Sequence, residues 1–139
     1  MNNTLKKHSV LFLVGGIMYM LIEIVWRSHT HWTMGITGGI CFILIGLLNE
    51  FYTYKMSLIN QMLISSIIIT VIEFIVGCIV NIWLKWNIWD YSSAPFNVLG
   101  QVCLPYMFLW FLLSAVAIIV DDWLRYFWFN EERPRYTIV

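Results

Sequence analysis

Four long apolar runs, over about residues 9–26, 33–48, 58–84 and 99–120, constrain this chain more than any other feature. A transmembrane helix needs roughly 20 consecutive apolar residues, and three of the runs meet that length or come close to it. Within the 139 residues 60% are apolar and only 12% are charged, and the mean hydropathy is +0.77. Soluble domains carry about 25% charged residues. A soluble fold of this size has too little interior to hide so much apolar surface. The composition therefore predicts an all-α integral membrane four-helix bundle. It forms one membrane domain over residues 1–139, with residues 121–139 as a C-terminal tail at the membrane interface.

The second run is short and rich in glycine, with Gly35, Gly38, Gly39 and Gly46. Small residues let helices approach closely in lipid, so this helix is expected inside the bundle. The first run follows Lys6 and Lys7, as a signal peptide's would. It is too long for the apolar core of one, contains Glu23 and lacks an A-x-A cleavage site, so a retained helix is expected. Of the eight Lys and Arg residues, six (Lys6, Lys7, Lys55, Arg125, Arg133, Arg135) fall on one side of the predicted spans. The other two, Arg27 and Lys85, fall opposite, and this bias places both termini in the cytoplasm of a multi-pass cell-membrane protein. Tryptophans fall near the predicted interfaces: Trp26, Trp32, Trp83, Trp86 and Trp89 outside, Trp123 and Trp128 inside. In the tail, Trp123, Phe127 and Trp128 are helically spaced, so either the fourth helix continues along the membrane surface or the tail is a solvated end. Cys41, Cys78 and Cys103 lie in apolar surroundings without a C-x-x-C pair and read as packing residues. Formal net charge is zero and no basic stripe exists, which excludes a nucleic-acid partner.

Glu23 and Glu73 stand inside apolar runs. A charged side chain at the bilayer centre costs roughly 2.5–3.5 kcal/mol on insertion scales, so each must face the bundle, find a partner or hold a proton. Each lies about 22 Å along its helix, which places both at one layer in the outer half of the membrane. Arg27 follows Glu23 at a spacing that permits an ion pair. Glu50, at the inner end of the second helix, reads as interfacial. The halves also match weakly at an offset of 50 residues, Glu23 with Glu73. Trp32 matches Trp89, and Gly39 to Cys41 matches Gly100 to Cys103. Each half would then be a helical hairpin, the two running parallel, with a binding site between the repeats. The plainer alternative is that each glutamate makes one interhelical hydrogen bond.

The third connection reads Trp89-Asp90-Tyr91-Ser92-Ser93-Ala94-Pro95-Phe96-Asn97 and leads into Gly100-Gln101. Asp90 and Ser92 favour turns, and Pro95 blocks a helix. Its aromatic flanks suit a structured loop tucked into the outer mouth, with Asp90 above the glutamates and Asn97 and Gln101 adding polar groups. The alternative is a rigid hairpin in which Asp90 and Ser92 cap locally. Pro105 falls inside the fourth run, where it would free the Gln101 carbonyl and permit a kink. His29 and His31 are weak metal candidates, since no further histidine or cysteine ligand stands near them.

The run Val71-Ile72-Glu73-Phe74-Ile75-Val76-Gly77, followed by Trp89-Asp90-Tyr91-Ser92, Pro95-Phe96-Asn97, Gly100-Gln101-Val102-Cys103 and Trp110, resembles a known signature. It is similar to that of the bacterial membrane family called "Putative ABC-transporter type IV" (CmpB-like), and more distantly to a vertebrate family of small transmembrane proteins. The resemblance covers about residues 70–111. It departs in the first half, where His29-Thr30-His31-Trp32-Thr33-Met34 replaces the family's glycine- and proline-rich motif. It implies a transport-type protein. No Walker motif occurs, so ATP binding by this chain is not expected.

The reading the sequence favours is a transport-type or permease component that binds a cation, a proton or a small polar solute. The candidate ligand-binding residues are Glu23, Glu73, Trp89, Asp90, Tyr91, Ser92, Asn97 and Gln101. A homo-oligomer or a partner membrane subunit is expected, because four helices alone make a thin pore. No catalytic set and no cofactor site can be read. A membrane-embedded enzyme acting on a lipid and a non-catalytic accessory or scaffold protein remain open.

Overall fold

The computed structural model describes residues 3–52 and 56–139, with side chains described for 4–48 and 56–139. Among the described residues there are four α-helices: α1 (Asn3–Arg27), α2 (Trp32–Tyr52), α3 (Leu58–Gly77) and α4 (Leu104–Phe129). A six-residue π-helical turn, Cys78–Trp83, prolongs α3. The spans Thr4–Arg27, Leu58–Trp83 and Leu104–Phe129 are long and apolar enough to cross a membrane. The apolar part of α2, Trp32–Leu48, is shorter.

Why these helices belong in lipid is visible in how their faces are sorted. On α3, Gln61, Ser65, Ser66, Ile69, Glu73 and Gly77 are buried, while Leu63, Ile67, Val71 and Ile75 point outward. On α4, Trp110, Ser114, Ile118, Asp121, Asp122 and Arg125 are buried, and Phe108, Leu112 and Val116 face out. Small and polar groups thus hold the helices together, and the aliphatic stripes meet acyl chains.

α2 packs against α1, α3 and α4, as its glycines predicted. The closest approach is to α1. A Cβ on Gly16 would stand 2.6 Å from the Gly35 carbonyl oxygen, so the two backbones meet where only glycine fits. α1 and α4 pack least closely of the helix pairs that touch.

Two helix limits differ from expectation. The fourth apolar run does not become helical at residue 99. Leu99 and Gly100 take positive φ (54° and 73°), Gln101 N–H bonds the Val98 carbonyl, and Cys103 is extended before α4 starts. Pro105 therefore lies in the first turn of α4, where its missing N–H has no helical acceptor to lose. The expected kink inside the helix does not arise. At the other end, α4 runs on to Phe129, and Asn130 (φ 54°) closes it in a left-handed cap. The last residues then turn back. Leu58 and Ile59 N–H donate to the Thr137 and Ile138 carbonyls, so the tail satisfies the first donors of α3. Of residues 130–139, Pro134 is buried and Glu131 and Tyr136 are half-buried, while the others are exposed.

The residue matches behind the repeat fall in unlike environments. Trp32 is exposed at a helix start, while Trp89 is buried in a loop. Gly39–Cys41 lie within α2, and Gly100–Cys103 form a turn.

Candidate functional site

Glu73 stands at the centre of the bundle, 3% exposed. Tyr19 of α1 donates its hydroxyl to one carboxylate oxygen. Trp110 Nε1 of α4 donates to the other, at 3.1 Å. The two rings stack on each other with centroids 5.3 Å apart. Three helices thus converge on one acid through two neutral donors. Sequence reading had the acid but not its partners. Tyr19 precedes Glu23 by one turn inside an apolar run, which was the available signal. Trp110 entered only as part of the family signature.

Glu23 does not join this centre directly. It is half-buried, within Coulombic reach of Glu73, but a turn beyond Tyr19 on α1. Among the described residues the two acids share no hydrogen bond, although Arg27 lies within Coulombic reach of both. Nor does Glu23 pair with Arg27. The Arg27 guanidinium donates instead to the Tyr91 hydroxyl and lies over the rings of Tyr91 and Tyr106, at 5.0 and 5.4 Å from their centroids. Those rings are themselves stacked at 4.6 Å, and Trp26 Nε1 donates to the Tyr106 hydroxyl at 3.0 Å. Burial, reinforced by the negative charge of Glu73, pushes the Tyr91 phenol above the ordinary tyrosine range, although Arg27 pulls the other way. Tyr91 remains a protonated phenol at neutral pH.

The third connection is structured, as expected, and at Asp90 and Ser92 it follows the alternative of local capping. Trp89 is buried and not an interface anchor. Its Nε1 donates to the Gln101 carbonyl at 2.9 Å. The π-helical turn swings Asn81 under the loop, where it donates to Gln101 Oε1 (2.8 Å) and accepts from Ile88 N–H (2.7 Å). π-turns widen a helix locally and re-aim a side chain. Gly77 lets this assembly sit against α3, since a Cβ there would stand 2.6 Å from Gln101 Oε1. Asp90 does not reach down to Glu73. It is exposed and accepts from Ser92 N–H at 2.9 Å, a local turn that follows from its short side chain. Asn97 donates to the Ser92 and Ala94 carbonyls and accepts from Gly100 N–H. Among the loop candidates, Tyr91 faces the helices, Trp89, Asn97 and Gln101 brace the loop, and Asp90 and Ser92 shape its outer turn.

His29 and His31 are satisfied locally, by the Arg27 carbonyl and by Thr33 Oγ1. Among the described residues no group of three or more His, Cys, Asp and Glu could hold a metal ion. Cys41, Cys78 and Cys103 are free thiols. The Glu50 side chain lies outside the described residues.

At the terminal end a second polar cluster is buried that sequence reading placed in an interfacial tail. Asp121 and Arg125 form an ion pair of 2.9 Å, with side-chain exposures of 0% and 5%. Arg125 also faces Glu131, which Lys7 bonds at 2.9 Å. Tyr136 donates to Asp122 at 2.9 Å. The i,i+4 spacing of Asp121 and Arg125 directly after an apolar run was the signal for it.

No curated protein and no solved structure is a significant match to the chain. Its residues 10–135 match the family described as "Putative ABC-transporter type IV". An all-helical chain with three membrane-length apolar helices fits such a membrane protein. The chain belongs to that family.

Proposed function

We propose that this protein is a transport-type membrane component whose exchangeable group is the Glu73 carboxyl, serving a proton or a small cation. One observation carries the reading: a buried acid in a membrane bundle whose hydrogen bonds, among the described residues, come from the neutral donors Tyr19 and Trp110. Intramembrane acids are expensive and mark ion or proton pathways more often than they serve as glue. A carboxyl with neutral donors can lose or regain a proton, or meet a cation, without first breaking an ion pair. The Lys and Arg bias puts the termini in the cytoplasm and Glu73 in the outer half of the membrane. Four helices make a thin bundle, so the reading takes a homo-oligomer or a partner membrane subunit as the working unit.

Purified protein in liposomes carrying a pH gradient tests it. Sodium and potassium are added in turn, and collapse of the gradient is followed with a fluorescent dye. The expected result is collapse with at least one cation in the native protein and none in Glu73→Gln, which should melt within a few degrees of native. Equal collapse in both proteins refutes the reading. Silence of both with every cation favours an accessory or scaffold role instead.

A further inference from the structure

Between α1 and α4, which touch only sparsely, lies a slot that no described helix covers. Near the α1–α2 loop its volume is about 340 Å³. It continues toward mid-membrane into a narrower space of about 80 Å³, and the two share Ile22, Trp110 and Leu113 as lining. The walls along its length are apolar, with Leu21, Val25 and Leu109 beside the rings of Tyr19 and Trp110. Its mouth is not. Glu23, Arg27 and Tyr106 line that end, and Arg27 is the last residue of the first span. From the end of a span, the long stem of an arginine lets its guanidinium reach the headgroup layer.

Two features of the mouth call for a charged occupant. The guanidinium carries five N–H donors, and its one side-chain hydrogen bond goes to Tyr91. Among the described residues no carboxylate lies in ion-pair contact with it, and the Glu23 carboxylate receives no hydrogen bond. Glu23 is only within Coulombic reach of Arg27 and His29. Two opposite charges, one helical turn apart, therefore flank the opening of an apolar slot in a membrane. From Arg27 to Gly15, which lines the far end, α1 rises about 18 Å. That is close to half of the roughly 30 Å hydrocarbon core.

We propose that this slot is a binding site for one glycerophospholipid with an amine-bearing head, of the phosphatidylethanolamine type. One acyl chain fills the slot, the phosphodiester meets Arg27, and the ammonium meets Glu23. The depth matches one leaflet, and the zwitterionic head matches the paired charges of the mouth. A purely anionic head would bring no group for Glu23. The site is separate from the Glu73 centre, with the Tyr19–Trp110 stack between them, and it does not depend on the function proposed for that centre.

Native mass spectrometry tests it on the full-length protein released from detergent. The probes are dioleoylphosphatidylethanolamine, dioleoylphosphatidylglycerol and inorganic phosphate, each added separately. The native protein should retain one ethanolamine lipid, and Arg27→Gln should retain about tenfold less, the order expected for a lost charge-assisted hydrogen bond. Glu23→Gln should keep a lipid but lose its preference for ethanolamine over glycerol heads, a change that a merely structural role for Glu23 would not produce. Leu109→Trp, which fills the slot, should exclude the lipid while the protein stays folded by circular dichroism. The proposal is overturned if Arg27→Gln retains lipid like the native protein, if the glycerol head binds equally well, or if phosphate binds as well as the lipid. A lipid-free dimer overturns it too, because a second copy then fills the slot.

Discussion

Gly16→Ala is the most informative single change in the α1–α2 contact. The added methyl would stand 2.6 Å from the Gly35 carbonyl oxygen and 3.3 Å from its carbon. Both are backbone atoms, so no rotamer change relieves the clash, and the helices must move apart. Overpacking of this kind costs about 1–3 kcal/mol, and with no flexible neighbour the upper end applies. Alanine returns about 1 kcal/mol of helix propensity relative to glycine, leaving a net loss of about 2 kcal/mol. For a chain of this size that is a fall in Tm of about 6 °C. Gly35→Ala is the control. Its methyl meets the Met20 sulfur at 2.9 Å, the end of a flexible side chain, so the propensity gain should leave Tm unchanged or slightly raised. Thermal unfolding in one detergent, followed by tryptophan fluorescence, compares the two. Equal melting temperatures would show that the α1–α2 backbones are not in contact at Gly16 and would refute the reasoning.

Tyr19→Phe and Trp110→Phe each remove one donor from Glu73 and should each cost about 1–3 kcal/mol. In a double-mutant cycle with Glu73→Gln, Tyr19→Phe should show strong coupling, and strict additivity would mean the hydroxyl does not serve the carboxyl. Asn81→Ala takes away one buried and one partly buried hydrogen bond and should cost about 2 kcal/mol, with faster exchange at the Ile88 amide; unchanged protection there would count against the bridge. Asp121→Asn removes one of the carboxylates that Arg125 meets, Glu131 remaining, and should destabilise by about 1.5–3 kcal/mol, seen as a lower melting temperature. Because the folded Tyr91 phenol titrates above its unfolded value of about 10, the stability it adds is present at lower pH and lost as pH rises past that value. Tyr91→Phe should flatten this alkaline decline, and an unaltered slope would exclude Tyr91 as its source.

How much of this could be read from residues alone differs from element to element. The membrane helices were legible because apolar length is a one-dimensional signal. The central place of α2 was legible because Gly35, Gly38 and Gly39 have few other uses in lipid. The start of α4 was not, because Leu99 to Cys103 is as apolar as a helix, and only positive φ at Leu99 and Gly100 interrupts it. Glu73 was visible by its charge. Its partners were hidden, because Tyr19 and Trp110 look like any interface aromatic until three helices bring them together. Asp90 misled for the opposite reason. It is the most conspicuous acid of the loop, yet its short side chain is satisfied two residues away by Ser92. The slot between α1 and α4 has no sequence signature at all, since it arises from how sparsely those two helices meet.

Infrared difference spectroscopy of the protein in lipid, stepped between acid and alkaline pH, tests the exchangeable Glu73 most directly. The account predicts a protonated-carboxyl band that appears and disappears reversibly, is missing in Glu73→Gln, and shifts in frequency in Tyr19→Phe as its hydrogen bond is lost. A band that persists unchanged in Glu73→Gln, or a Glu73 carboxyl that does not titrate at any pH at which the protein stays folded, would contradict it.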